Sequence, residues 1–516
     1  MSMSLPYERV SLCFADKHNY EGILPPYHPP DRYPELALLP EGDGLLCREN
    51  LVYEAVRASL RMLGLDASRA DTPCWNPLGD LVSPGGTVVI KPNLVRHYNG
   101  NPAGTLDSVL THGSVLRPLV DYALRALDGK GRIVIADAPQ HDGDMEAMKR
   151  SLGIAELQDF YRTTLGFDLE FLDLRVEWVI YRDGIIVERF PLPGDPLGYS
   201  LVDLGQHSEF ADPGVDPRRL RGSEYDSQET IAGHSDGSHG YLLSNTVLGA
   251  DLVINVPKVK THKKAGVTLA LKNLFGVNGN KNLLPHHSLG FPHQGGDEFP
   301  APSPYRRLRS QLIDWSRPVL KRGRLRTLFR AARRAEGRLL SPDPTRSGNW
   351  HGNDTVWRTI VDLNKAFYCT DRHGMLQDRP VEDRKHLVVF DGIVAGEGNG
   401  PMETDDRPTG LICAGLDPIA ADLALIRLMG FDWRRVRKVA RSVALEEHRF
   451  TRIREERDVR LNVLRSDGTT ELETPLPELD LNLHFRPHVG WTGHIERTDE
   501  EERALDAFTA VAGSTR

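Results

Sequence analysis

The stretch Ala250–Gly276, ADLVINVPKVKTHKKAGVTLALKNLFG, decides how this chain is read. Leu252, Val253, Ile254 and Val256 form the near-continuous apolar run of a strand buried on both faces. Pro257 is expected to end that strand. Lys258, Lys260, His262, Lys263 and Lys264 then crowd into a turn, and a helical run is expected from Gly266 to Leu274. A strand that delivers cations to the start of a helix suits an anion, because the first N–H groups of a helix lack partners and the dipole favours negative charge. Lys272 and Asn273 interrupt the apolar run Leu269, Ala270, Leu271, Leu274 and Phe275, which packing alone does not explain.

The same style of sequence extends outward. GTVVIKPNLV from Gly86 reads as a strand, Gly113 to Leu127 as an amphipathic helix, and GRIVIADAP from Gly131 as a second strand, together a β-α-β unit. Later, HLVVFDGIVAGEGNGPM from His386 and TGLICAGLDPIAADLALIRLMG from Thr409 return to this pattern. The expected fold class is α/β: mostly parallel sheets with helices on both faces, plus β-rich and helical insertions. The divisions are an N-terminal arm and helix over 1–85, then a first core part over 86–300 with a β insertion at about 171–204. An arginine-rich helical insertion follows over 301–345, a second core part over 346–450, and terminal strands and a helix over 451–516.

Composition narrows the function classes. The 516 residues are 40% hydrophobic and 26% charged with a formal charge of −8, which suits a globular protein and argues against a general nucleic-acid binder. No apolar run approaches the roughly 20 residues that span a bilayer. The N-terminus lacks the basic-then-apolar layout of a signal peptide, so the expectation is a cytoplasmic protein. Cys13, Cys47, Cys74, Cys369 and Cys413 are dispersed with no C-x-x-C pair, so no iron–sulfur cluster is expected. Residues 303–340 carry twelve lysines and arginines against Asp314 and Glu336. Such a segment can cover the mouth of a site with its arginines solvated, or touch an anionic membrane, here the inner face, as a peripheral contact.

Polar residues stand at the ends of several apolar strands, where α/β sheets place ligands. Lys91 and Asn93 follow VVI, Asp137 ends IVIA, Lys258, Lys260 and His262 follow VINVP, and Asp391 and Glu397 follow LVVF. Four such strands are expected to converge on one cleft. Gly396, Gly398 and Gly400 could let backbone approach a ligand there. Candidate metal ligands are His286, His287, His293 and Asp297, with His351 and Asp354 further on, since imidazole with carboxylate suits a transition metal. Loop histidines facing solvent or substrate are the alternative.

These motifs resemble the family of domain of unknown function 362 proteins. The resemblance rests on IKPNLV at 90–95, Thr111-His112, Asp137-Ala138-Pro139, NVPKVKTH at 255–262, GVTLALKNLFG at 266–276, DGIVAGEGNGP at 391–401 and GLDPIAAD at 415–422. It spans roughly 85–430. Some members carry an appended ferredoxin-like segment with C-x-x-C clusters, which this chain lacks. THKKAGVTLALKN is also similar in layout to the segment of nickel-pincer lactate racemases where a histidine precedes A-G-F-S-G-G-x-K. That layout puts His262 and Lys272 in comparable places, with Thr268-Leu269-Ala270 where Ser-Gly-Gly would stand.

The expected function is an enzyme acting on a small or lipid-linked anionic substrate, phosphorylated, carboxylated or glycan-type. Lys91, Asn93, His112, Lys258, Lys260 and Asn273 would bind substrate, and His262, Lys272, Asp137, Asp391 and Glu397 would carry the chemistry. Hydrolysis or group transfer, with or without a divalent metal, is the first reading, and racemisation or epimerisation with a metal cofactor the second. A non-catalytic anion-binding or membrane-peripheral assembly factor is the alternative of a different class.

Overall fold

Branched apolar residues alternate along the central strands, and the alternation sends them into two separate cores. Val88 and Ile90 enter one core and Val89 the other; Leu252, Ile254 and Val256 part from Val253 in the same way, and Leu387 and Val389 from Val388 and Phe390. The sheet is therefore covered on both faces. Helices Leu51–Leu63 and Gly113–Ala126 close one side, and Val356–Tyr368 and Pro418–Leu428 the other. The computed structural model describes residues 5–498, apart from 41, 183–184, 223–225, 307, 309–342 and 379–382.

The main sheet has eleven strands. Its path runs Thr470–Pro475, Arg460–Leu464, Arg9–Phe14, Glu403–Gly415, His386–Asn399, Leu252–Val256, Thr87–Pro92, Arg132–Asp137 and Glu170–Asp173. From His386–Asn399 to Glu170–Asp173 every pairing is parallel. The antiparallel pairings include the long hairpin of His386–Asn399 with Glu403–Gly415 and the pairing of that second arm with Arg9–Phe14. The α/β class with mostly parallel strands and flanking helices is thus the architecture of the chain. Among the described residues, no helix is long and apolar enough to cross a membrane.

Several elements depart from the reading of the sequence. The short strand that the sequence offers at Val10 to Phe14 is present as Arg9–Phe14, and what differs is its place, in the interior of the main sheet rather than in a separate arm. Glu170–Asp173 is the edge strand of that sheet, so within the expected insertion at about 171–204 it is the hairpin Glu177–Arg182 with Ile185–Pro191 and the strand Tyr199–Asp203 that stand apart from it. LDLNLHF at 479–485 forms no strand. Most of the arginine-rich segment and the expected C-terminal helix lie outside the described residues.

Pro257 does not return the chain to solvent. The extended run resumes as Lys258–His262, buried throughout and paired in parallel with His386–Asn399. Lys258 and Lys260 thus become fully buried strand residues rather than exposed turn residues. Lys258 finds its counter-charge in Asp391 at 2.9 Å. Lys258 Nζ also donates to the Tyr20 hydroxyl at 3.0 Å, Tyr20 donates to Asp391 Oδ1, and the His112 N–H donates to Asp391 Oδ2 at 2.8 Å. The ring of His112 stacks on Tyr20 at 3.8 Å and its Nδ1 caps the helix Gly113–Ala126. Every oxygen of Asp391 is therefore engaged, and the N-terminal segment is tied to the sheet through Tyr20.

Removing one partner of such a pair leaves an uncompensated buried charge, at about 3–5 kcal/mol. Asp391→Asn is expected to lower unfolding stability by that amount, read as a lower urea midpoint at unchanged slope.

Candidate functional site

A cavity of about 400 Å³ opens at the carboxyl ends of the parallel strands. It is lined by nine lysines and arginines against four aspartates and glutamates. Two of the four acids are already neutralised: Asp137 pairs with Lys91 at 2.9 Å and Asp142 with Arg96 at 2.6 Å. The remaining cations therefore outnumber the remaining acids, Glu298 and Glu403, by seven to two.

The Lys91–Asp137 pair forms one wall. Lys91 Nζ also donates to the Pro92 carbonyl at 2.9 Å, and Asp137 accepts from the N–H of Leu94 at 2.7 Å and of Ala138 at 2.8 Å. Burial pulls the Lys91 ammonium down and pushes the Asp137 carboxyl up, while each partner opposes the other's shift. Gly276 passes directly over the pair, so that a Cβ there would overlap both Asp137 Oδ1 and Lys91 Nζ. The Asn273 amide donates to Asn255 Oδ1 at 2.7 Å, and Asn93 donates to Asn273 Oδ1 at 2.7 Å, so the two expected asparagines join in one network behind the wall.

Three further lysines face the cavity with no carboxylate of their own among the described residues. Lys260 Nζ donates to the Val109 carbonyl at 2.5 Å and Lys281 Nζ to the Phe275 carbonyl at 2.7 Å. Lys272 Nζ lies 3.3 Å from the centre of the Phe275 ring and makes no hydrogen bond among the described residues. Burial lowers all three; Lys281 is brought down to about 7, and Lys272 is lowered further by Lys438 and Lys281. The Thr268 hydroxyl, buried on the same lining, has no hydrogen-bond partner among the described residues.

Two of the three lining histidines, His262 and His286, have opposite tautomers. His262 Nδ1 accepts the N–H groups of Lys264 at 3.1 Å and Ala265 at 3.2 Å, which leaves its proton on Nε2. His286 Nδ1 lies 2.7 Å from the Leu284 carbonyl, so its proton is on Nδ1 and Nε2 bears the lone pair. Burial and then Lys272 hold both rings well below the usual imidazole range, hence neutral. One is a hydrogen-bond donor toward the cleft and the other is a base.

The helix expected to offer its N–H groups to a ligand is shorter than the sequence suggested, Leu269–Asn273, and its start is occupied. Asp422, fully buried, accepts from Ala270 N at 2.7 Å and Leu271 N at 3.4 Å. Lys438 sits 3.8 Å from Asp422 and donates to the Val267 and Thr268 carbonyls at 3.0 and 2.5 Å. Leu269 enters the helix at φ +53°, a conformation that favours glycine.

The other expected site residues are placed as follows. Lys258, Asp391 and His112 form the network with Tyr20 and do not line the cavity. Glu397 accepts from Arg486 N at 3.0 Å, away from the lining. The loop glycines serve close packing: Gly400 lies against Thr261 and Gly396 against the Ser108 carbonyl. Of the expected metal ligands, His286 and His287 line the cavity, but the set is not gathered. Asp297 is saturated by Ser288 N at 2.6 Å, Asp354 N at 2.7 Å and Thr355 Oγ1 at 2.7 Å. Asp354 pairs with Arg358 and Arg437, His351 stacks on His494 at 3.5 Å, and His293 is exposed. Lys281, Thr268, Arg221 and Arg346 line the cavity and were not foreseen. Lys281 follows Asn278-Gly-Asn, a polar turn-like run with no apolar rhythm to signal burial.

With the cleft described, its relatives can be named. The family model described as domain of unknown function (DUF362) matches residues 201–427. The chain carries a DUF362 domain. Lys260, His262, Lys272, Lys281 and His286 fall inside the matched span, whereas Lys91 and Asp137 precede it. The chain is also similar to the thylakoid-associated protein sll1697 of Synechocystis sp. (strain ATCC 27184 / PCC 6803 / Kazusa), 22% identical over 356 residues, covering 69% of this chain and 66% of that protein. The chain thus spans slightly less than two thirds of that relative's length. No solved structure matches.

The DUF362 cleft gives stability a definite pH dependence. Lys281 titrates near 7 when folded and near ~10.4 when unfolded, so between these values the unfolded chain binds more protons and stability rises with pH. Below pH 7 the cost of a charged, buried Lys281 is present in full. Wild type is therefore expected to gain stability over Lys281→Met between pH 7 and pH 9, checked by urea titration of both proteins at each pH.

Proposed function

We propose that the DUF362 cleft binds a small anionic molecule carrying phosphate or carboxylate groups and transfers protons on it. The observation that carries this reading is Lys272, a half-buried ammonium facing a cavity with only the Phe275 ring beside it among the described residues. Lys260, Lys281 and Lys91 would share the anion's charge. His286 Nε2 would take the proton of an attacking water or hydroxyl, and the neutral His262 Nε2–H would donate to the oxygen on which charge develops. Hydrolysis or group transfer is the first reaction class that this donor–acceptor pair supports. Asp391 and Glu397, whose oxygens are engaged elsewhere, have no part in it.

An anion favours the charged form of the lysines, so binding takes up protons and affinity falls as pH rises through about 7. Inorganic pyrophosphate serves as a first probe. At about 100 times its Kd a ligand adds roughly 2.7 kcal/mol of stability. A rise in melting temperature is expected for wild type and none for Lys272→Ala with Lys281→Ala. Absence of any shift with pyrophosphate, phosphosugars and polycarboxylates alike would sink the reading. His286→Ala is expected to keep binding and lose turnover; unchanged turnover would leave a binding protein.

A second reading, peripheral attachment to a membrane, draws on the thylakoid association in the relative's name and on the twelve cations of residues 303–340. Deleting 303–340 is expected to abolish co-sedimentation with vesicles rich in anionic lipid while the pyrophosphate response persists. Equal sedimentation of both proteins would remove this reading.

A further inference from the structure

Outside the cleft, His207, Glu447 and His448 are brought together from distant parts of the chain. His207 ends the 3-10 turn Gly205–His207, and Glu447 and His448 lie in the loop after helix Arg437–Val443. One ligand atom from each lies within 4.8 Å of the others, and no other such trio of histidine, cysteine or acidic residues occurs among the described residues. We propose that these three side chains bind one zinc-class divalent cation, independently of the chemistry of the cleft.

The spacing fits a shared ion better than direct bonding. His207 Nδ1 and Glu447 Oε2 are 3.6 Å apart, too far for a hydrogen bond but close to the roughly 3.3 Å edge of a tetrahedron with ~2 Å metal–ligand bonds. The rings of His207 and His448 meet edge to face at 4.5 Å. Glu447 makes no hydrogen bond and no other ion pair among the described residues.

The surroundings hold the set in place. His448 Nδ1 lies 3.3 Å from the Gln377 carbonyl, a partner that fixes the tautomer and leaves Nε2 for a metal. His448 adopts φ +47°, unusual for a side chain of this size, and its carbonyl accepts from Cys369 Sγ at 3.1 Å. The Arg449 guanidinium pins the loop through the carbonyls of Leu445 at 2.9 Å and Thr451 at 3.0 Å. The nearby cations Lys365 and Arg441 are both paired with Glu209, at 2.6 and 2.7 Å, so their charge is largely spent before an ion arrives. Two imidazoles and one carboxylate suit zinc, cobalt or nickel rather than magnesium or calcium. The exposure of Glu447 leaves room for water at the remaining positions.

Cobalt(II) is the probe, added to the untagged full-length chain after chelator treatment and followed by its visible absorption. One ion per chain is expected. His207→Ala and His448→Ala should each weaken binding by about tenfold or more. His293→Ala should leave binding unchanged, which separates this site from the histidine-rich loop. His448→Gln replaces His448→Ala if the latter does not fold. No bound cobalt, unchanged binding in the His207 and His448 variants, or loss in His293→Ala would each overturn the proposal and leave a His207–Glu447 ion pair.

Discussion

An ammonium group inside a parallel sheet is stable only where something nearby takes its charge, and this chain buries many of them. Lys91, Lys258 and Lys438 have carboxylates in Asp137, Asp391 and Asp422. Lys260, Lys272 and Lys281 have carbonyls or a ring instead, and all three face the same cavity. The uncompensated charge is thus concentrated where a ligand can reach it. Elsewhere the ion pairs brace the fold: one holds Tyr20 and the N-terminal segment against the sheet, another lies directly beneath the backbone of Gly276.

Much of the sheet was legible because its signal is local. VVI, IVIA, LVINV and LVVF are all central strands, and the polar residues after the first three, Lys91, Asp137, Lys260 and His262, do share a cleft. The family resemblance was legible for the same reason, through short motifs in order along the chain. Where a strand would stop and where a carboxylate would point was not legible. Pro257 lacks an N–H, yet the pairing with His386–Asn399 runs across it in register, and its carbonyl accepts from the Asp391 N–H at 2.9 Å. Asp391 stands at a strand end like Asp137, but its register places it opposite Lys258, where Tyr20 from far along the chain completes its shell. Lys281 was missed because nothing beside it in the sequence is apolar, and its burial comes from the walls that other segments build.

The histidines show the same limit. Composition marked the 286–298 loop as a metal candidate, but the structure uses Asp297 as a backbone tie that three donors saturate. The useful information lay in the backbone around each ring. Two main-chain N–H groups at His262 and one carbonyl at His286 assign opposite proton positions to rings of the same type.

Asp422 occupies the start of the short helix with the protein's own charge, and this changes what kind of recognition the cleft can exert. A fixed cradle of backbone N–H groups reads the outline of one oxyanion. Lysines on long stems act as movable points of charge and constrain shape little. On the proposed reading, a cleft built this way would discriminate by the number of negative charges a molecule carries, and several related anions could share it. Specificity among them would then come from the rigid parts of the wall, the Phe275 ring, the Thr268 hydroxyl and the paired histidines, rather than from the cations that draw the ligand in.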